Sequence, residues 1–430
     1  MNEINLILKE LENNHIFLTG GAGVGKSYTI NQIINHYRTQ KDKQIIPLGS
    51  TGVSAVNIGG FTIHSFFAFG ISNNLKELKI SDKRNKSKLN ELKKILKVTD
   101  LIIIDEISMV SADIMDMINY RLNRLGYLGK LLFVGDFYQL PPIQKFNKKD
   151  NLFEDKLYAF ESEAWINFNP TIIELTKMKR TKDIEFTHIL HKVRIGQCDN
   201  EVIEYMKKLT TNQIKIKNPT YLFGRNIEVN FMNKTKLNSI KQKEHILNAK
   251  LEQHNKKIHE KRLATWKKTL PIEEELILKE GVPVLFTINR WGKYANGERG
   301  IVQKIEEDYI IIEKENEFVR VQRHDFDLLD IESDNNGKIQ TIKLATLSQF
   351  PLKLAYAITI HKSQGMSIDN LICNVDNIFA PSQFYVAISR AINPNNLILD
   401  FNKGNLINYL YKMIKVDKRV EEYYLQLDKS

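Results

Sequence analysis

The run GGAGVGKS, Gly20 to Ser27, sets the architecture of this chain. Before it, His15-Ile16-Phe17-Leu18-Thr19 is an apolar run that reads as a buried strand. After it, Tyr28 to Ile34 carries apolar residues at helical spacing. Strand, glycine turn and helix is the context that a phosphate-binding loop needs. Glycine lets backbone N–H groups turn inward around phosphate oxygens, and the helix N-terminus adds partial positive charge. The stretch Gly21, Ala22, Gly23, Val24, Gly25, Lys26, Ser27 and Tyr28 is therefore expected to cradle a nucleotide. Lys26 suits the β- and γ-phosphates, and the Ser27 hydroxyl suits Mg²⁺.

Such a loop calls for acidic partners at the end of a neighbouring strand, and DLIIIDE, Asp100 to Glu106, supplies them. Leu101 to Ile104 is an unbroken apolar run, as in a parallel strand buried on both faces. Asp105 and Glu106 then stand at its carboxyl end, where ligands of open α/β sheets bind. Asp105 is expected to hold Mg²⁺, and Glu106 to position and polarise the attacking water. Ser111 can cap a helix with apolar positions Ile114, Met117, Ile118 and Leu122, expected to end near Gly126. The strand Lys130 to Val134 follows and ends in GDFYQLPPI, Gly135 to Ile143. Its Gln139 is an uncharged amide placed to touch the γ-phosphate or the attacking water.

Between these segments, Lys43 to Leu48 reads as a second strand that feeds GSTGVSAVNIGG and FTIHSFFAFG, Gly49 to Gly70. Thr51, Gly52 and Ser54 are small enough to approach a sugar-phosphate backbone closely. His64, Ser65, Phe66 and Phe69 form a polar and aromatic cluster that could stack on bases or wedge a duplex open. Core packing suits Phe66 and Phe67 at least as well. Residues 75–97 are lysine-rich and read as a solvated helical surface segment.

The 430 residues suffice for about three domains, and the formal charge is +11. That charge favours polyanions, nucleic acid first, although a general bias towards Lys, Asn and Ile would produce it as well. No run of eighteen apolar residues exists, so no membrane span is expected. The two cysteines, Cys198 and Cys373, lack metal or pairing spacing, which fits a reducing cytoplasm. With the loop so near the start, no presequence is expected.

In the second half, Thr171 to Thr176 is a strand followed by KMKRTKD. Phe186, Ile189, Leu190 and Val193 make a helical packing stripe, with His188 and Arg194 off it. Residues 241–268 hold nine Lys or Arg against three Glu and read as a solvated helical insertion, with DNA contact the minor reading. From Gly281 the texture turns to short strands at 283–288, 300–305, 309–313 and 318–322, with a tight turn at Asn296-Gly297. Arg290, Trp291, Lys293 and Tyr294 form a basic-aromatic cluster that could touch nucleic acid or close the hydrophobic end of this small domain. Leu352 to Ile360 is a core strand that ends in HKSQG, His361 to Gly365.

Taken in order, GGAGVGKS, DEISM, GDFYQLPPI, DIEFTHILHKVRIG, VPVLFTINR, YANGERGIV, AYAITIHKSQGMSID and FYVAISRA resemble the motifs of superfamily 1 helicases. The chain is most similar to the PIF (petite integration frequency) branch, the RecD-related 5′-to-3′ DNA helicases. The resemblance spans nearly the whole chain. It implies an α/β fold of two tandem RecA-like P-loop NTPase cores, at 1–175 and at 176–280 with 345–415. A small wedge-like insertion falls near 65–80, an inserted β-barrel at 281–344 and a helical tail at 416–430. It implies ATP, with Mg²⁺, in the cleft between the cores. Arg180 and Arg390 would reach the γ-phosphate from the second core, with Arg390 on a helix. Gln364 and Gly365 would face ATP, while His361, Lys362, Ser363 and Arg290 would face DNA.

The expected activity is ATP-driven 5′-to-3′ movement on single-stranded DNA and unwinding at duplex–single-strand junctions, with G-quadruplexes a further substrate. Roles in replication, repair or recombination would follow, for a monomer in a bacterial-type cytoplasm. A DNA-stimulated ATPase that remodels protein–DNA complexes is the alternative. Two features depart from the family. The chain before residue 15 leaves an adenine-recognition motif abbreviated or absent, and Thr181 stands after Arg180 where Gln is common.

Overall fold

The structure is a computed structural model that describes residues 3–427, apart from 41, 84, 143–155, 213–218, 256–257, 291, 295, 315–316 and 334–338. Two compact units emerge, Met1–Lys177 with Leu328–Leu344, and Met178–Asp327 with Ala345–Ser430. Residues 328–344, expected within the inserted barrel, thus group with the first unit.

The first unit is built on a parallel sheet of β1 (Ile16–Thr19), β2 (Ile45–Gly49), β3 (Phe61–Thr62), β4 (Leu101–Asp105), β5 (Lys130–Val134) and β6 (Thr171–Glu174). Their spatial order is β3-β2-β4-β5-β1-β6. Alternation sorts the apolar runs onto two buried faces. Ile16, Leu18, Leu101, Ile103, Leu132 and Val134 pack with Ile7 and Leu11 of α1 (Glu3–Leu11) and with Ile30, Ile33 and Ile34 of α2 (Lys26–Thr39). On the other face Phe17 and Phe133 meet Trp165, with ring centroids 5.3 and 5.0 Å away. Each such side chain contributes about 1.5–3 kcal/mol when fully buried, so the strands that carry the site are held from above and below.

The segment between β2 and β4 contains α3 (Gly52–Asn57), α4 (Ile63–Phe66), α5 (Leu75–Asp82) and α6 (Lys86–Val98). Its expected solvated character holds for one face only. Leu78 of α5 and Leu89, Leu92, Ile95 and Leu96 of α6 are buried, because the lysines recur out of phase with a leucine stripe. α7 (Ala112–Leu125) packs beside them. Its Arg121 is fully buried and forks onto Asp82 at 2.5 and 2.7 Å.

The second unit has its own parallel sheet, formed by β7 (Thr220–Phe223), β18 (Ala357–Thr359), β19 (Leu371–Asn374) and β20 (Leu397–Asp400) in the order β18-β7-β19-β20. The stretch read as a helical insertion at 241–268 begins instead with β8 (His245–Asn248) and β9 (Lys250–Gln253); among its described residues helix starts at Glu260, in Glu260–Thr269. β8 pairs with β10 (Glu275–Leu278), a partner that sequence alone did not reveal. β11 (Pro283–Phe286), β12 (Arg299–Ile305), β13 (Tyr309–Lys314) and β14 (Glu317–Gln322) form an antiparallel meander, joined at one edge by β17 (Leu352–Leu354). Its order, β14-β13-β12-β11-β17, is that of an open five-stranded sheet. No closed barrel is found among the described residues, because β14 and β17 stand at opposite edges. β15 (His324–Ser333) and β16 (Ile339–Gln349) continue the chain, and β16 pairs with β9. Among the described residues, no helix is long and apolar enough to cross a membrane.

Candidate active site

β1 leads into the glycine loop, and the loop into α2. Gly23 and Gly25 take φ of 86° and 100°, a region that costs other residues strain. Ala22 and Val24 turn their side chains into the core, so this loop offers its backbone. Lys26 folds over it and donates from Nζ to the carbonyls of Gly20 (2.6 Å) and Gly21 (2.9 Å). Ser27 and Tyr28 are exposed at the start of α2.

β5 lies between β1 and β4. Neighbouring strands are about 4.8 Å apart, so the carboxyl ends of three adjacent strands bring their loops together. β4 ends in Asp105, which is buried, and Glu106, which is half-buried, follows it. The Glu106 N–H donates to Asp105 Oδ1 at 2.9 Å. Glu106 itself has φ 56° and ψ 49°, the left-handed region, unusual for a glutamate. Burial first, and the Glu106 carboxylate second, raise the Asp105 carboxyl above its ordinary range; the Glu106 N–H and Lys26 oppose them. β5 delivers Gln139, whose Nε2 donates to Asp136 Oδ2 at 3.1 Å. A crowded, buried carboxylate at the strand end and an exposed hydroxyl on Ser27 are a donor set that fits a hard divalent cation.

In the second unit the structure brings Arg180 and Arg390 together around Ser389. Arg180 donates to the Ser389 carbonyl at 2.7 Å and to Ser367 Oγ at 2.8 Å. Arg390 donates to Ser389 Oγ at 3.1 Å, to the Val386 carbonyl at 2.9 Å and to the Ser363 carbonyl at 3.4 Å. Arg390 lies just past the helix Pro381–Ile388 rather than on it, and it is buried, whereas Arg180 is half-buried. Burial, then repulsion from Arg390, lower the Arg180 guanidinium to about 9.

A model of the PIF1-like helicase family matches residues 1–204, and a second helicase model matches 294–419. Over 429 residues the chain is 42% identical to the ATP-dependent DNA helicase Pif1 of Campylobacter jejuni, covering 97% of this chain and 95% of that one. This chain belongs to the PIF1-like helicase family. Among solved structures it resembles Bacteroides sp. Pif1 in complex with ADP-AlF4, with a TM-score of 0.83 and 26% identity over 100% of this chain and 97% of that one. A Bacteroides Pif1 with ADP-AlF3 and single-stranded DNA gives a TM-score of 0.66 and 27% identity over 100% of this chain and 97% of that one.

The PIF1-like features expected to meet DNA divide by burial. Thr51 caps α3, accepting from the Ser54 N–H at 3.1 Å, while Ser54 Oγ accepts from the Thr51 N–H at 3.1 Å. Ser54 is buried by this mutual cap, which leaves Thr51 and Gly52 half-buried beside it. His64 and Ser65 are also half-buried, but Phe66 and Phe69 are core residues. Phe67 and Phe69 stack at 5.6 Å, and Arg121 pins the loop by donating to the Phe67 carbonyl at 2.9 Å. The aromatic wedge is therefore packed inward, and Ile71 is the apolar side chain left exposed there.

Ser363 is likewise removed from DNA. It is fully buried, and its hydroxyl donates to the Ile360 carbonyl at 2.8 Å. His361 stacks on the exposed Phe379 at 6.1 Å, Lys362 and Gly365 are exposed, and Gln364 is half-buried. Arg290 is exposed in its turn, whereas Tyr294 stacks on Phe286 at 4.1 Å inside the sheet's end. Trp291 and Ile143 lie outside the described residues. Sequence reasoning missed Asp136, Ser367 and Ser389. Asp136 was visible as the acid of GDFYQL; Ser367 and Ser389 lie within AYAITIHKSQGMSID and FYVAISRA, but only folding sets them beside an arginine.

Proposed function

We propose that this chain is an ATP-dependent DNA helicase that moves 5′ to 3′ on single-stranded DNA and opens duplex at forks. One observation carries the reading: the Lys26 loop, the Asp105–Glu106 pair and Gln139 stand at the carboxyl ends of three adjacent parallel strands. The relatives named above support DNA as the track and ATP as the fuel.

The loop N–H groups and Lys26 would bind the phosphates of ATP. Asp105 and Ser27 would hold Mg²⁺, which when bound neutralises phosphate charge. Glu106 accepts the proton of the attacking water and aims it. Gln139, held by Asp136, orients that water or the terminal phosphate. Arg180 would stabilise charge on the transferred group. Arg390 sets the position of Arg180 through Ser389 and raises its demand for an anion. A single strand gripped by Lys362 and its neighbours would be released and regripped as nucleotide binds and leaves. We place the protein in a reducing cytoplasm.

The test is strand displacement on 5′-tailed against 3′-tailed duplexes with ATP and Mg²⁺. Displacement of the 5′-tailed substrate alone is expected. ATPase activity that DNA stimulates with neither substrate opened would replace this reading with protein–DNA remodelling, which the inward packing of Phe66 and Phe69 favours.

A further inference from the structure

Hydrogen-bond register places Arg299 of β12 and Lys353 of β17 on either side of Leu285 of β11. Directly paired residues share a face of an antiparallel sheet, so the three side chains form one row, cation–leucine–cation. Leu285 is buried, and both cations are partly covered. The Arg299 Nε and Nη2 atoms are buried with no hydrogen-bond partner. The Lys353 ammonium makes no hydrogen bond or ion pair among the described residues. Burial first and the Lys362 charge second lower it to about 8, with the Glu273 carboxylate opposing them. Arg299 is lowered by burial, with the Tyr356 hydroxyl its only opposing influence.

Burying cations without counter-charge is costly, and the cost falls when an anion arrives. The row also has a fixed position. Gly297, two residues before Arg299, has φ 89°, and a Cβ there would lie 2.8 Å from Met366 Cβ. The β11–β12 connection is thereby seated on the segment that follows HKSQG, and Lys362 of that motif is the cation that acts on Lys353.

We propose that Arg299 and Lys353, with Lys362, hold a backbone phosphate of a single nucleic-acid strand, extending the contact surface from the HKSQG loop onto the five-stranded sheet. This rests on the reading of the chain as an ATPase that tracks single-stranded DNA. Arg299 supplies a planar fork and Lys353 a point charge, a pairing suited to phosphate oxygens. A contact to phosphate carries no sequence information, so the contribution of the row is independent of sequence.

The test is binding of single-stranded oligothymidylate to the full chain, by fluorescence anisotropy across a salt series. Lys353→Met and Arg299→Gln should each reduce the slope of log affinity against log salt by about 0.7, and together by about 1.4. Arg299→Lys should keep most of the slope. Lys304→Gln, an exposed lysine on β12 paired with Glu306, should leave it unchanged. Melting curves check folding, and if Arg299→Gln melts early, Lys353→Met decides alone. A wild-type slope in folded Lys353→Met overturns the proposal, as does an equal loss in Lys304→Gln. A wild-type protein whose binding ignores salt would remove the DNA-tracking reading itself, and this inference with it.

Discussion

Glu106 shows how one residue carries both strain and chemistry. A left-handed glutamate costs about 1–3 kcal/mol, and such strain persists only where its surroundings enforce it. Here the enforcing contacts are the end of β4 behind it and the short turn Ile107–Met109 ahead of it. The result is a carboxylate half-exposed beside a buried one, and the two cannot share one role. Asp105 is the deeper group and suits a cation; Glu106 is the more accessible and suits a proton. Glu106→Gln keeps the shape and removes the base. Nucleotide affinity should survive, while turnover falls about a hundred- to ten-thousandfold. Equilibrium binding of a fluorescent ATP analogue, read beside phosphate release, checks both halves. Loss of binding would mean that Glu106 serves the fold instead.

At the level of elements, the segment from α4 to α7 is governed by a buried ion pair. Arg121 reaches Asp82 through two bonds and the Phe67 carbonyl through a third, and Arg124 adds a bond to Asp82 at 2.5 Å. This clasp ties α5 and α7 to the aromatic loop that follows α4. Replacing Arg121 leaves the buried Asp82 with the bond from Arg124 alone, a loss bounded by the cost of breaking a buried pair, about 3–5 kcal/mol. Arg121→Leu should therefore lower unfolding free energy by that order in urea titration and loosen residues 64–70 to hydrogen exchange. An unchanged exchange rate there would show that the loop is held by its phenylalanines alone. Sequence could show that α6 has a leucine stripe, but the stripe was outweighed by its lysines. Only the position of α7 reveals that the stripe has something to pack against.

For the whole molecule, stability should carry a pH signature from His15. This imidazole sits where β1 begins, and its Nδ1 accepts the Leu131 N–H at 3.0 Å, joining β1 to β5. Burial first, and Lys130 second, lower its pKa to about 4 from the ordinary 6.5. The unfolded chain therefore takes up a proton before the folded one does. The stabilising contribution is complete above pH 6.5 and is lost as pH falls from there towards 4. His15→Asn offers a neutral acceptor with no such titration. The stability difference between wild type and variant, from urea midpoints, should shift against wild type between pH 6.5 and 4 and stay level above pH 7. The same paired strands explain which features could be read in advance. GGAGVGKS, DLIIIDE and the strand before GDFYQL announce themselves because phosphate binding and double burial demand particular residues at adjacent positions. Local chemistry determined the nucleotide loop, the acid pair and the parallel α/β class. Pairing between distant segments decided the rest: that Phe66, Phe69 and Ser363 face inward, that the small strands form an open sheet, and that Arg299 and Lys353 flank one leucine. Burial and register depend on which strands meet, and that energy is shared by residues far apart in the chain, so no local pattern records it.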